Sequence, residues 1–209
     1  MAEFNLGGGK LLDLDFATQA DERKIREWEQ FAGLREGNPN VRDALELSKL
    51  ALMRWGEAKA KLRDADNLED FKDRIRDEKY AEVSGLLVAR PIWTNSRHLA
   101  VLGLCNFRRT WCNNIVLDYL TVHPAIVRRL PKHAKNAPPP IRGVGLALFY
   151  FLSTLAVELN VGTIWGEATQ NSAVRYQVWF QQPDLNDLIR LTDEDFKNFI
   201  RRTETKERP

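Results

Sequence analysis

The run Arg142-Gly143-Val144-Gly145-Leu146-Ala147 heads a stretch, Gly143 to Val157, that carries no charge. Glycines at the mouth of a helix let main-chain N–H groups approach an anion with no Cβ in the way, and a first helical turn carries about half a positive charge. The chemistry on offer is the binding of a phosphate or diphosphate; a tight turn made only for packing is the equal alternative. Two phosphate loops can be set aside. A dinucleotide fingerprint wants glycine at 143, 145 and 148, but residue 148 is Leu, and a Pro-rich loop stands where a strand should lead into the turn. Glu167 has about the spacing of a ribose-binding acid, a common coincidence. The Gly-Lys-Ser/Thr of a P-loop is absent.

Single side chains add further candidates. Asp118 lies in an apolar run from Ile115 to Val122, and Asp is depleted in strand interiors, so it calls for a reason. Along an extended strand 116, 118, 120 and 122 share one face. The alternatives for Asp118 are a proton acceptor and a salt-bridged or solvent-facing residue. His123 ends the same run and reads as a turn-stabilising residue, and His98 falls in a hairpin loop. Cys105 is read as a small core residue. Cys105 and Cys112 could face each other across a hairpin, but read better as two reduced thiols. Two cysteines exclude a disulfide scaffold and a Cys-rich zinc site, and no metal is expected. No Gly-x-Ser-x-Gly elbow is present.

The elements that must hold these residues follow in order. A strand is expected over 10–17, and Thr18 with Asp21 resembles an N-cap pair. Ile25, Trp28 and Ala32 recur at helical spacing over 19–33, a longer helix is expected over 41–62, and Asn67 caps a third. Three apolar, strand-like runs at 83–92, 99–108 and 114–122 have short links, with Asn95-Ser96 as the first turn, which favours an antiparallel meander. Residues 124–141 form an inserted Pro-rich basic loop holding Arg128, Arg129, Lys132, His133 and Lys135, read as a flap that helps bind a phosphate or an acceptor, or as a solvated surface insertion. An apolar helix over 144–159, a strand over 163–168, a helix from about Asn171, a short strand over 188–191 and a helix capped by Thr192 and Asp195 complete the chain. The last nine residues are expected to fray.

The 209 residues carry 31 bases and 29 acids, a net charge of +2, with 44% hydrophobic residues. That is the size and balance of one domain with a core of its own, so disorder and a dedicated nucleic-acid coat are excluded, and any basic patch must be local. The 15 uncharged residues from Gly143 to Val157 fall short of the ~20 a spanning helix needs, so no membrane partner is expected. No signal peptide is visible, and a cytoplasmic location is expected. Residues 1–209 read as one domain, with 1–79 mostly helical.

Taken together, four motifs resemble one family. Arg142-x-x-Gly145-x-Ala147 is similar to the Arg/Gln-x-x-Gly-x-Gly/Ala signature of the GNAT superfamily of N-acetyltransferases. Leu120-Thr121-Val122-His123-Pro124 resembles the end of that family's fourth strand. Trp165-Gly166-Glu167-Ala168-Thr169 and Asn171-Ser172-Ala173-Val174-Arg175-Tyr176 resemble its fifth strand and the helix that follows. The resemblance covers about residues 80–180. It implies an α/β fold with a mixed, mostly antiparallel central sheet flanked by helices and splayed between the fourth and fifth strands.

It also implies acetyl-CoA as cosubstrate, held in that V. Leu120, Thr121 and Val122 would pair with the pantetheine arm through their main chain, as an added strand does. The pyrophosphate would sit on the amides of Arg142, Gly143, Val144, Gly145, Leu146 and Ala147, and Asn171 would support the far wall. Two departures stand out: the length of the 124–141 segment, and Trp179-Phe180 where the family often closes this helix with Gly-Phe.

The activity implied is acetyl transfer to a primary amine by direct attack in a ternary complex. The alternative is a non-catalytic acyl-CoA sensor or interaction module of the same fold. An amine of pKa ~10.4 must lose a proton before it attacks, and Asp118, directly or through water, is the candidate acceptor. Relatives can carry such a carboxylate two residues earlier, where this chain has Val116. Tyr176 stands where the family usually carries the acid that protonates the leaving thiolate. The Val122 N–H is placed to polarise the thioester carbonyl. The partner is a small-molecule or peptide amine, with no nucleic acid; a homodimer is an option that the tryptophan-rich strands suggest.

Overall fold

The computed structural model describes residues 2–34, 38–78, 81–93, 99–127 and 141–207. Its centre is a seven-stranded sheet in which the strands follow chain order. The first hairpin joins β1 (Ala2–Asn5) to β2 (Leu11–Phe16). Strict alternation in β2 buries Leu12, Leu14 and Phe16 and leaves the residues between them half-buried, the period-2 pattern of a strand packed mainly on one face. Next come β3 (Val83–Pro91), β4 (Gly103–Arg109) and β5 (Ile115–Val122), an antiparallel meander as expected. β6 (Thr163–Glu167) lies parallel to β5, and β7 (Leu188–Thr192) closes the edge antiparallel to β6. A parallel neighbour needs a crossover, and the apolar helix supplies it.

Caps written in the sequence place the helices of the N-terminal half. Thr18 and Asp21 form a reciprocal capping box at the start of α1 (Gln19–Arg26). The 19–33 segment is not one α-helix: from Glu27 to Leu34 it tightens to a 3-10 helix. Asn38 accepts from the Val41 N–H to start α2 (Pro39–Ala60), with Pro39 at its first position, and Asn67 does the same for the Asp70 N–H in α3 (Leu68–Asp77). Between α2 and α3, the Trp55 Nε1–H donates to Asp64 Oδ2 at 2.7 Å.

The C-terminal half holds α4 (Pro124–Val127), α5 (Val144–Glu158), α6 (Gln170–Phe180) and α7 (Asp193–Glu207). The expected loop thus begins with a helical turn; the basic residues Arg128 to Lys135 lie outside the described residues, as do His98 and Asn95-Ser96. The C-terminus does not fray at residue 201: α7 continues to Glu207 because Phe196, Phe199 and Thr203 are buried along one side. Cys105 is buried and Cys112 exposed, and both are free thiols.

A core lies on each face of the sheet. On one, Leu148, Phe149 and Leu152 of α5 meet Cys105, Phe107, Ile115 and Leu117, joined by Tyr176, Phe180, Phe196 and Phe199. On the other, Trp28, Leu45 and Trp55 cover Leu86, Val88 and Leu104. Each buried large side chain contributes roughly 1.5–3 kcal/mol, so the sheet is clamped from both sides. Among the described residues no helix is long and apolar enough to cross a membrane.

Candidate active site

β5 and β6 are paired only through Ile115–Ile164, Val116–Trp165 and Leu117–Gly166. Beyond Leu117 the two strands part, and residues 118–122 keep β4 on one side and nothing from β6 on the other. A parallel pair that splays in this way, bridged by an apolar helix whose first turn sits at the opening, decides the architecture. The fold is that of the GNAT acetyltransferases. Its fourth and fifth strands are β5 and β6 here, because one more strand precedes the meander at the N-terminus.

The parting coincides with a bulge. β4 and β5 pair Asn106 with Tyr119, then Phe107 with Leu117, which leaves Asp118 as the extra residue. The expectation that 116, 118, 120 and 122 share a face therefore fails. Ile115, Leu117, Leu120 and Val122 belong to the α5 face, whereas Asp118 and Tyr119 turn to the α2 face. The extra residue moves everything after it onto the other parity.

The main chain of β5 is set for pairing. The His123 N–H donates to the Leu102 carbonyl at 2.8 Å. In an antiparallel ladder the direction alternates, so Thr121 and Tyr119 bond toward β4, and Leu120 and Val122 direct N–H and C=O into the V. At the mouth of the V, Gly143 takes φ 87° as the N-cap of α5, a left-handed conformation in which a Cβ is strained. The first intrahelical bond is Ala147 N–H to the Gly143 carbonyl at 2.8 Å. The N–H groups of Val144, Gly145 and Leu146 precede it and are left to face an anion. A Cβ on Gly145 would lie 3.5 Å from both Leu120 and Trp179 and 3.8 Å from Val122, so the missing side chain keeps this gap open. Arg142 is exposed beside the turn. These features fit a diphosphate with an extended arm.

A narrow cleft of about 90 Å³ runs from this gap past the free edge of β5. Leu120, Thr121, Val122, Gly145, Asn171 and Tyr176, all singled out in the sequence, line it together. Tyr176 is buried, its ring stacked on Phe180 and edge-on to Phe149 and Trp179. Burial pushes its phenol up, with a smaller push from Cys105 and an opposing pull from Arg175, so it keeps its proton.

Asp118 is not in this cleft. It lines a second cavity on the α2 face with Arg54, Glu57, Lys61, Arg63 and Glu82. Its carboxylate accepts from Arg108 Nε at 3.1 Å, and Arg54 lies 3.9 Å away. Burial raises its pKa above the ordinary carboxylate value, and the charge and hydrogen bond of Arg108 pull against that. Asn171 reaches across the mouth instead of backing the far wall alone: its Nδ2 donates to Asp43 Oδ2 of α2 at 3.0 Å.

Sequence reading missed Asp43, Asn40 and Leu47 of α2, and Arg175 and Trp179 of α6, all of which line the cleft. Arg175 was reachable, since it stands four residues after Asn171 and so on the same helix face. Asp43 was not, because only the packing of α2 against β5 brings it here. His123 is buried, edge-on to Trp28 and Phe31, and its Nδ1 accepts from the Ala125 N–H at 3.1 Å, the turn role expected of it. Among the described residues no group of three or more His, Cys, Asp or Glu is arranged to hold a metal.

No protein-family model and no curated protein matches the chain. Solved structures do. The match to a nourseothricin acetyltransferase has 19% identity and a TM-score of 0.32, and covers 46% of this chain and 48% of that one, so the chain spans about half of that relative. The yncA protein from Salmonella typhimurium, solved with acetyl-CoA, matches over 87% of this chain and 94% of its own, at 15% identity and a TM-score of 0.45. The PaiA N-acetyltransferase from Thermoplasma acidophilum, in complex with coenzyme A, matches over 87% and 98% at 11% identity and a TM-score of 0.43.

Proposed function

We propose that the chain transfers an acetyl group from acetyl-CoA to a primary amine. The observation that supports this most is the meeting, at one cleft, of an unpaired strand edge at Leu120 and Val122 with the amides that open α5. The edge takes the pantetheine arm as a neighbouring strand would. The amides of Gly143, Val144, Gly145 and Leu146, with Arg142 beside them, take the diphosphate; the Ala147 N–H, expected to join them, is spent on the Gly143 carbonyl. The thioester then lies where the cleft turns from the α5 face to the α2 face, so donor and acceptor approach from opposite faces of the sheet.

The amine nitrogen attacks the thioester carbonyl carbon, the C–S bond breaks, and the acetyl group passes to nitrogen without an enzyme-bound acyl group. The main-chain N–H of Val122 meets the oxygen that gains charge. Tyr176 gives its phenolic proton to the departing sulfur. The burial that raises the phenol also raises the proton affinity of a thiolate in the same dry pocket, so the two remain matched. Asp118 lines the neighbouring cavity and is paired with Arg108, so the proton of the amine reaches it only through a chain of waters between the two. Its place at the bulge, where the edges part, and its raised proton affinity support that role.

The test is an assay of free thiol release from acetyl-CoA with a panel of amines, beside calorimetry of acetyl-CoA binding. Binding with amine-dependent thiol release is the expected result. Binding without release from any amine would favour a sensor module, and no binding would overturn both.

A further inference from the structure

The cleft is lined by an asymmetric pair of charges. Among the described lining residues Asp43 is the one acid and Arg175 the one base. Asp43 belongs to α2 and Arg175 to α6, so they stand on different walls. Asp43 Oδ2 is fixed by Asn171 Nδ2 at 3.0 Å. Its other oxygen has Arg42 Nε at 3.7 Å, but that arginine is 65% exposed, and a pair so solvated neutralises little. The Asp43 carboxylate is thus oriented and able to accept further hydrogen bonds.

We propose that Asp43 anchors a second, non-reacting cationic group of the acceptor, so that the substrates are diamines or larger amines with a spaced positive charge. This rests on the acetyl-transfer reading. Asp43 is a poor partner for the reacting nitrogen itself, because a neighbouring carboxylate stabilises the ammonium that must deprotonate. A second ammonium has no such conflict. Arg175 repels that charge from the α6 wall, which directs it to α2. Asn171 is a positioning residue: it holds Asp43 and leaves one oxygen for the ligand.

The experiment compares 1,4-diaminobutane with n-butylamine at saturating acetyl-CoA, in the wild type and in Asp43→Asn and Asp43→Glu. Asn keeps the acceptor oxygen for Asn171 and removes only the charge. The wild type is expected to prefer the diamine by about tenfold in kcat/KM, carried by KM. Asp43→Asn should collapse that ratio toward one, and Asp43→Glu should restore part of it. Calorimetry should give the same acetyl-CoA affinity in all three. An equal preference in wild type and Asp43→Asn, or no acetylation of the diamine by the wild type, overturns the proposal. If acetyl-CoA still binds and the monoamine is still acetylated, the broader reading survives that failure; loss of acetyl-CoA binding by the wild type removes both.

Discussion

The backbone of Gly166 lies against the carbonyl of Leu117 so closely that a Cβ on Gly166 would sit 2.5 Å from that oxygen. This contact is the last rung before β5 and β6 separate, so it sets where the V begins. Gly166→Ala must push the strands apart at the rung, and overpacking of this kind costs about 1–3 kcal/mol. Chemical denaturation should show that loss, and acetyl-CoA should bind more weakly to the folded variant.

Gly145→Ala should act in the opposite sense on stability. A Cβ there meets only ordinary van der Waals neighbours, and alanine in a helix is favoured over glycine by up to about 1 kcal/mol. The melting temperature should hold or rise, while acetyl-CoA affinity falls about tenfold because the new methyl enters the cleft. Calorimetry and a thermal melt on the same sample check both.

Tyr176→Phe should lower kcat by about 10–100-fold, and change acetyl-CoA affinity by less than about threefold. Since burial raises the phenol, Tyr176 stays protonated across the working range. Any basic limb of the wild-type kcat profile should therefore persist in the variant, scaled down.

Asp118→Asn tests the proton acceptor. Burial raises the Asp118 carboxyl, so the acid limb of wild-type kcat/KM should fall above the ordinary carboxylate range and vanish in the variant. Arg108 keeps Glu82 at 2.8 Å as its remaining acidic partner, and the fold should lose about 2 kcal/mol. A superimposable pH profile would reassign the base.

Asp64 gives the fold a pH dependence away from the cleft. It is buried, its Oδ1 has no hydrogen-bond partner among the described residues, and burial raises its pKa to about 7 from 3.8, against the pull of the Trp55 hydrogen bond. The folded state then holds a proton that the unfolded state has released. Stability should fall as pH rises from about 4 to about 7 and level off above that, by at most about 4 kcal/mol. Asp64→Asn keeps an acceptor for Trp55, and should flatten that slope and stabilise the protein at pH 8 in urea titrations.

Much of the architecture was legible because it rests on local signals. Thr18–Asp21, Asn67–Asp70 and Thr192–Asp195 mark helix starts that the structure keeps, and the apolar runs became β3 to β6 within a few residues. The strand at Ala2–Asn5 went unread because four residues give too short a pattern to show alternation. The cleft was legible on its α5 side, where Leu120 to Val122, Gly145 and Tyr176 come from neighbouring elements. Its α2 side was not: Asp43 and Asn171 are 128 residues apart, and nothing local joins them. The bulge at Asp118 hid for another reason. The run from Ile115 to Val122 has no glycine or proline to announce an irregularity, so simple alternation put Asp118 with Leu120.

That one unpaired residue works as a phase shifter. Ahead of it, odd-numbered positions of β5 feed the interior beneath α5; behind it, even-numbered ones do. Removing that one residue would take out the bulge and restore plain alternation, leaving Leu120 and Val122 beneath α5 and Thr121 on the other side. Loss of a paired residue with the bulge kept would instead turn the residues after it over, and a deletion series across 116–119 would separate the two outcomes.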